Sequence, residues 1–552
     1  MEARHFARGA LALTIAGLFS RFLGIFYLIP LPRLIGDQGM GLLQMGAAWQ
    51  GLLLVLASGG LPMALARGVA EQRAAGQSGA AERLLLAALA INFVLGLAGT
   101  LVLWHIAPSL AWRIEGDSGA TMVLRVYAPS VVILALASSI RGYYQGRQEM
   151  GLVAASEVVE QLFRVGAMLG VGWWLTAEGI TRAAAGAASG AMVGGLATLT
   201  LLVIGFAVSP EKRETIGRAL SRSAGWITRR PSTWALVKSH LVPVAPAGAA
   251  LALTYAAVQA AEASVIPRAL RHTGLSVVAV REQYGQYALA FRLIHLPAVV
   301  SISLASTLLP AVAYAQAAGK LSLAARRVGQ TVRFVLLVSL PAAAGLAVLA
   351  RPITGLLFGY PEVAMPLRAA TPAVVGLMLF QASTGALQGL GRPYLPAISL
   401  GWGGLVQLVA AWYGITRGGG VAAAAAAAAL GWGVAAAFNL MVLLRQLGGG
   451  SMIAWHDVIR PLLAAAGMAW GVATFHPWLQ RALVDDAGWG GNQGVAVGTS
   501  LLSLAAAAGS LTGAVVAGAV LYFALLASLG GISREEGAFL RRWLLPWRTG
   551  TR

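Results

Sequence analysis

Charged side chains occur inside apolar runs of this sequence, where they could bind an ion or a charged group. Arg21 lies near the middle of the stretch Leu11–Arg33, and Arg164 and Arg292 lie within two later apolar runs. A central arginine costs ~3 kcal/mol or more in a bilayer unless it faces a polar cavity. Because a guanidinium pairs with phosphate through two parallel hydrogen bonds, these arginines favour binding of a phosphate-bearing anion, unless carboxylates neutralise all three.

A set of polar residues lies in the run near residues 153–176. Glu157, Glu160, Gln161 and Arg164 follow one another at i, i+3, i+4 and i+7, which places them on one helical face. Glu160 precedes Arg164 by four residues, the favourable order for a helical ion pair. A structural ion pair and the lining of a cavity both fit this face.

Two further runs carry ionisable residues. Arg292 and His295 are one helical turn apart in the run near residues 284–314, and Glu262 lies in the run near 241–267. An isolated histidine on an apolar face is usually structural, but the neighbouring arginine favours cavity lining. Glu262 could serve as a counter-ion, a cation site or an interfacial group.

The composition indicates a polytopic membrane protein. Of 552 residues, 58% are hydrophobic and 11% charged, and the mean hydropathy is +0.74, whereas soluble domains are about 25% charged. The net charge of +20 would suggest nucleic acid in a soluble protein, but here the basic residues cluster between apolar runs. We therefore expect no nucleic-acid partner. The absence of cysteine excludes disulfides and thiolate metal sites.

The apolar runs predict an all-α protein with about fourteen membrane-spanning helices, since each run is close to the ~20 residues that a bilayer requires. The break near Gly418–Gly420 is a predicted helix boundary. The runs lie near residues 10–32, 40–64, 84–107, 121–143, 153–176, 183–207, 241–267, 284–314, 331–350, 366–388, 395–416, 420–444, 459–476 and 500–529.

The distribution of Lys and Arg predicts the orientation. Most of the 40 basic residues fall at the two termini and in the even-numbered loops. By the positive-inside rule, both termini then face the cytoplasm. The most basic segment, Ser209–His240, is expected to be a cytoplasmic linker between two lobes.

An internal repeat supports two lobes. Residues 128–146 match residues 371–389 at a constant offset of 243, and Leu61-Pro62 matches Leu309-Pro310 more loosely. The copies are separated by six spans, so they run in parallel, an arrangement known from transporters. The shared pairs are Pro129/Pro372, Val131/Val374, Val132/Val375, Gly142/Gly385, Gln145/Gln388 and Gly146/Gly389.

These features predict the domain organisation. Residues 1–208 are expected to form one six-helix lobe, 209–240 the basic linker and 241–446 a second parallel six-helix lobe. Residues 447–552 would add two helices and a basic interfacial tail. The fold class is that of a two-lobed transporter with two additional C-terminal helices.

Signatures of enzymes and of cofactor sites are missing. Gly319-Lys320 is followed by Leu, and Tyr314 stands where a phosphate-binding loop needs its first glycine. There is no H-E-x-x-H motif. We expect neither enzyme activity nor a cofactor or metal, so an ion gradient, the membrane potential or turnover of the substrate elsewhere would supply the energy.

Sequence motifs resemble the group of stage V sporulation protein B and the MurJ-type lipid II flippases. This group belongs to the multidrug/oligosaccharidyl-lipid/polysaccharide (MOP) exporter superfamily, which also includes the MATE transporters. The motifs are Ser20-Arg-Phe-Leu-Gly24, Gly41-Leu-Leu-Gln-Met45, Gln145-Gly-Arg-Gln-Glu-Met150, Ser156-Glu-Val-Val-Glu-Gln161 and Arg292-Leu-Ile-His-Leu-Pro297.

This resemblance implies a transporter of a lipid-linked oligosaccharide diphosphate in the bacterial cytoplasmic membrane. It implies two lobes around a cationic cavity, with Arg21 and Arg292 as cavity residues and His295 where the group has glutamate. The expected substrate is lipid II, and the expected mechanism is alternating access by a monomer in contact with membrane lipids. Other polysaccharide repeat units and, less favoured, cationic drugs are alternatives. The full set of cavity candidates is Arg21, Arg292, Arg164, Glu157, Glu160, Gln161, His295 and Glu262.

Overall fold

The computed structural model describes residues 27–115, 118–208, 233–241, 245–448, 455–480 and 501–531. The described residues form helices joined by turns, with no strand among them, which confirms the predicted all-α class. Backbone hydrogen bonds inside a helix satisfy every interior polar group of the main chain, as the hydrocarbon interior of a membrane requires.

By compactness the chain divides into two units. The first unit contains the described residues up to Leu289 together with Leu408–Val421. Its helices are α1 (Pro30–Ser58), α2 (Leu61–Ala74), α3 (Ser78–Glu115), α4 (Gly119–Gly146), α5 (Met150–Trp174), α6 (Ile180–Val208), α7 (Ala245–His272) and the beginning of α8 (Val277–Ala317).

The second unit takes Ala290–Gln407 and the described residues from Ala422 onward. Its helices after α8 are α9 (Leu321–Val348), α10 (Ala350–Phe358), α11 (Ala364–Ala370), α12 (Pro372–Gly389), most of α13 (Leu395–Gly414), α14 (Gly420–Gln446), α15 (Trp455–Gln480) and α16 (Leu501–Ser528). The domain boundaries expected from the sequence stay a prediction.

The number of membrane-spanning helices is consistent with fourteen. Ten described helices are long and apolar enough to cross a membrane, and a bent pair, Pro361–Ala370 with Pro372–Gly389, makes eleven. Leu395–Gln446 counts as one of these but contains two predicted spans. Met150–Trp174 falls short of the criterion because every 18-residue window carries Glu157, Glu160 and Arg164. The first predicted span lies mostly outside the described residues.

Glycines mark the helix breaks. The predicted boundary at Gly418–Gly420 is confirmed, since Gly418 (φ 90°) and Gly420 (φ 53°) adopt left-handed backbone conformations. The predicted run 40–64 also contains a break that the apolar pattern did not reveal, at Gly59 and Gly60 between α1 and α2. Positive φ angles are accessible to glycine at little cost, so these residues end one helix and redirect the next.

The internal repeat corresponds to a repeated helix contact. A Cβ atom on Gly142 of α4 would lie 2.5 Å from the carbonyl oxygen of Pro62 on α2, within the first unit. A Cβ atom on Gly385 of α12 would lie 2.5 Å from the carbonyl oxygen of Ala305 on α8, within the second. Pro62 and Ala305 are themselves 243 residues apart. The looser match of Pro62 with Pro310 was therefore wrong, because the contacts align Pro62 with Ala305.

The last two described helices pack together against α9. Tyr522 of α16 donates a hydrogen bond to the carbonyl oxygen of Leu337 at 3.0 Å. Asp457 of α15 forms an ion pair with Arg333 of α9 at 3.2 Å. These contacts attach the C-terminal pair of helices to the second unit.

Candidate functional site

Three charged side chains meet between α4 and α5. Both carboxylate oxygens of Glu160 accept hydrogen bonds from arginine: Oε2 from Nη2 of Arg141 at 2.5 Å, and Oε1 from Nη2 of Arg164. We call Arg141, Glu160 and Arg164 the charge cluster. One carboxylate between two guanidinium groups leaves the cluster with a net charge of about +1, because arginine stays protonated.

Hydroxyl and carbonyl groups hold Arg141 in place. Its Nε donates to Oγ of Ser156 at 2.9 Å, and its Nη2 lies 3.1 Å from Oγ1 of Thr198 on α6. Thr198 in turn donates to the carbonyl oxygen of Ser156 at 2.7 Å. Ser156 and Thr198 are both fully buried. These two residues hold the guanidinium of Arg141 in place together with Glu160.

Helix α6 packs closely against α5 at the residues that carry the charge cluster. A Cβ atom on Gly194 would lie 2.7 Å from the carbonyl oxygen of Glu160, and one on Gly190 would lie 2.6 Å from that of Arg164. Such distances are too short for any side chain. Glycine at these two positions therefore lets α6 approach the turn of α5 that carries the charges, as small residues do in membrane helix packing.

The charge cluster is only partly enclosed. The exposed fractions are 20% for Arg141, 14% for Glu160 and 31% for Arg164. Nε of Arg164 is buried and has no hydrogen-bond partner among the described residues. Because the Arg164 side chain is 31% exposed, the cluster can offer its guanidinium group to an incoming anion while Glu160 stays paired.

The other predicted residues of this face belong to the same helix. Glu157 and Gln161 are half-buried on α5, one turn before and one residue after Glu160. The structure thus brings Glu160 and Arg164 together as the spacing predicted. Arg141 is the member that the sequence reasoning missed as a partner, although the polar positions Ser138, Arg141 and Gln145 on α4 gave a signal for it.

Glu262 lies apart from the charge cluster in an aromatic setting. Its Oε2 accepts a hydrogen bond from the hydroxyl of Tyr287 on α8 at 3.3 Å. The rings of Tyr284 and Tyr287 are stacked, with centroids 6.1 Å apart, and Gln259 donates to the hydroxyl of Tyr255 at 2.9 Å. A carboxylate among hydroxyl groups can accept further hydrogen bonds or bind a cation.

Arg292 and His295 belong to the second unit. Both side chains are half-buried on α8. Nδ1 of His295 lies 2.7 Å from the carbonyl oxygen of Phe291, so this nitrogen carries the proton of a neutral ring. Nε2 of His295 is buried and has no hydrogen-bond partner among the described residues, and this leaves an acceptor beside the arginine.

Arg21 lies outside the described residues, and its predicted place in the site stays a prediction. Within the described ranges, no three of the His, Asp and Glu side chains come together as a metal site would need.

Comparison with known proteins shows which families this chain is similar to. A family model described as "Polysaccharide biosynthesis protein" matches residues 6–231. Stage V sporulation protein B of Bacillus subtilis (strain 168) is 31% identical over 61% of this chain, and the match spans less than two thirds of that relative, 64% of its length. The lipid II flippase MurJ of the same organism is 26% identical to this chain, and the match covers 73% of this chain and 76% of that relative.

Solved structures agree on the fold. A structure of the lipid II flippase MurJ in an inward closed conformation aligns over 97% of this chain and all of its own, with a TM-score of 0.65 and 13% identity. An inward-facing MATE transporter aligns over 76% of this chain and 94% of its own, with a TM-score of 0.62 and 14% identity. These likenesses show that the chain has the fold of MurJ and the MATE transporter. With ten or more described helices long and apolar enough to cross a membrane, the chain is a multi-pass membrane protein.

Proposed function

We propose that this protein is a flippase of the MOP exporter superfamily that moves undecaprenyl-diphosphate-linked lipid II across the bacterial cytoplasmic membrane by alternating access. The observation that carries the proposal is the charge cluster, in which two arginines share one carboxylate inside apolar helices. A net positive site at membrane depth suits a diphosphate, because guanidinium groups bind phosphate oxygens in pairs. The relative named as a lipid II flippase is aligned over most of its length.

Specific roles follow for the candidate residues. Arg21 and Arg292 would bind the diphosphate directly, and Arg164, held by Glu160, would contribute a third guanidinium. Glu157 and Glu160 would limit the positive charge so that the substrate can leave again. Gln161, His295 and Glu262 would line the path of the sugar, where amide, imidazole and carboxylate groups can exchange hydrogen bonds with hydroxyls.

A different lipid-linked polysaccharide repeat unit is the second candidate substrate, because it carries the same diphosphate and differs only in its sugars. A cation-coupled drug exporter fits less well, since a positive site repels cationic drugs. The proposal includes cytoplasmic termini, a monomer surrounded by membrane lipids, and coupling to an ion gradient or the membrane potential.

The test uses cells depleted of their own lipid II flippases. We would express the wild-type protein, Arg21→Ala and Arg292→Ala at matched membrane levels, and measure lipid II accessible on the outer face. Arg326→Ala is the matched control, because Arg326 is an exposed residue on α9 with the same charge.

The proposal predicts export by the wild type and by Arg326→Ala, and loss of export in both cavity variants. A correctly inserted wild type that fails to export lipid II would exclude lipid II as the substrate. Full activity in Arg21→Ala and Arg292→Ala would assign the two arginines a structural role and refute the proposed site.

A further inference from the structure

A cavity in the first unit has none of the charge-cluster residues in its described lining. It has a volume of about 580 Å³ and is lined by residues of α3, α4 and α6, among them Trp104, Thr121, Met122, Arg125, Pro129 and Met192. Its lining is apolar apart from residues on the first turns of α4 and the serine before them. Trp104 and Met122 are 44% and 43% exposed, so the cavity opens at the surface of the helices.

Among the described residues that line this cavity, Arg125 is the basic one. Its guanidinium carbon lies 5.4 Å from the centre of the Trp104 ring, a cation–π contact. Within the described residues Arg125 makes no ion pair and no hydrogen bond, and its Nε is buried. A cation among apolar side chains is costly without an anionic partner.

Thr121 adds a second polar group that lacks a partner. It precedes Arg125 by four residues, so both side chains lie on the same face of α4. Oγ1 of Thr121 is buried and has no hydrogen-bond partner among the described residues. A hydroxyl and a guanidinium side by side, both unsatisfied, form a donor set that matches the oxygens of a phosphate group.

The depth of these groups matches the level of lipid head groups. Helix α4 has 28 residues and is therefore ~42 Å long, whereas the hydrocarbon core of a bilayer is ~30 Å thick. Arg125 lies six residues after Gly119, the first residue of α4, or ~9 Å along the helix axis. With α4 centred in the bilayer, Arg125 is close to the boundary between head groups and hydrocarbon, whereas Pro129, ~15 Å along the axis, lies within the hydrocarbon.

We propose that this cavity binds an anionic phospholipid of the surrounding membrane. The phosphate would accept hydrogen bonds from Arg125 and Thr121, and an acyl chain would contact Met122, Pro129 and Met192. The positive charge of Arg125 selects lipids with a net negative charge, because a zwitterionic head group brings its own cation to the site. None of the candidate transport residues that the structure describes lines this cavity, so the lipid site uses residues other than the described ones of the flippase proposal.

The test measures lipid binding to the purified full-length protein by native mass spectrometry. Delipidated protein would be titrated with phosphatidylglycerol and, in parallel, with phosphatidylcholine. The variants are Arg125→Gln and the nearly isosteric Thr121→Val. Arg113→Gln is the matched control, because Arg113 is an exposed arginine at the adjoining end of α3. Gel filtration and thermal unfolding would establish that each variant is folded.

The proposal predicts a saturable phosphatidylglycerol site with weaker binding of phosphatidylcholine. Arg125→Gln should weaken phosphatidylglycerol binding roughly tenfold, as expected for loss of a charge-assisted hydrogen bond, and Thr121→Val should weaken it severalfold. Arg113→Gln should bind like the wild type. Equal binding of both lipids, or unchanged binding in both cavity variants, would overturn the proposal. Displacement of phosphatidylglycerol by undecaprenyl phosphate but not by cardiolipin would also overturn it, because the occupant would then be a carrier lipid.

Discussion

Glu160 is the residue on which the charge cluster depends. It accepts hydrogen bonds from Arg141 and Arg164, and its exposed fraction is only 14%. Removing one member of a buried ionic network leaves a charge without its partner. This loss usually destabilises a protein by more than the intact network stabilised it. The carboxylate therefore serves first to allow two arginines to coexist inside apolar helices.

We expect Glu160→Gln to destabilise the protein by roughly 1–3 kcal/mol, less than for a fully buried network because the arginines are partly exposed. Thermal unfolding in detergent would show a lower midpoint. The matched control is Glu178→Gln, which breaks an i,i+4 pair with Arg182 whose side chains are 47% and 57% exposed. An equal effect of the two substitutions would contradict a special role for Glu160.

At the scale of single residues, the sequence predicted side-chain contacts within one helix better than contacts between two helices. The spacing of Glu160 and Arg164 predicted their contact because helical periodicity alone places them together. The contact between Arg141 and Glu160 depends on how α4 packs beside α5, and no periodicity encodes that. The hydrogen bond between Tyr287 and Glu262 was missed for the same reason.

At the scale of the helix, glycine sets the spacing between neighbours. Gly142 on α4 and Gly385 on α12 each lie against a carbonyl oxygen of a neighbouring helix. We expect Gly142→Ala and Gly385→Ala each to cost about 1–3 kcal/mol, because the added methyl group overpacks the contact.

Gly170→Ala on α5 is the control for these substitutions, since a Cβ atom there would have no atom within 4 Å. Alanine at that position should be neutral or stabilising, as expected from helix propensity. Thermal unfolding of the three variants tests the difference. A Gly142→Ala protein as stable as the wild type would show that α2 and α4 can separate without cost.

The sequence predicted which segments are helical better than it predicted the residues at which the helices begin and end. Apolar length alone predicted the long described helices, because a bilayer demands long uninterrupted helices, but it did not predict the short helix Ala350–Phe358. The break at Gly59 and Gly60 was missed because the run stays apolar across it, and only the positive φ angles reveal the turn. The break at Gly418–Gly420 was predicted because consecutive glycines separate two apolar runs there.

At the scale of the whole molecule, the orientation in the membrane is testable because the chain has no cysteine. We expect Ser276→Cys, before α8, to react with a membrane-impermeant maleimide in intact cells. Gln77→Cys, between α2 and α3, should react only after permeabilisation. Both positions are exposed, so access to the reagent depends on the side of the membrane. The reverse labelling pattern would invert the topology predicted from the basic residues.

The repeated glycine contacts also bear on the history of the gene. Contacts at a constant offset of 243 residues are what a tandem duplication of a half-length ancestor would leave behind. Gly142 and Gly385 kept the contact in both copies, whereas the preceding position became Arg141 in one and Thr384 in the other. Backbone spacing was inherited in both halves while charge diverged between them. Such a duplication would mean that the electrostatic asymmetry of the present protein arose after it, from two halves that began alike.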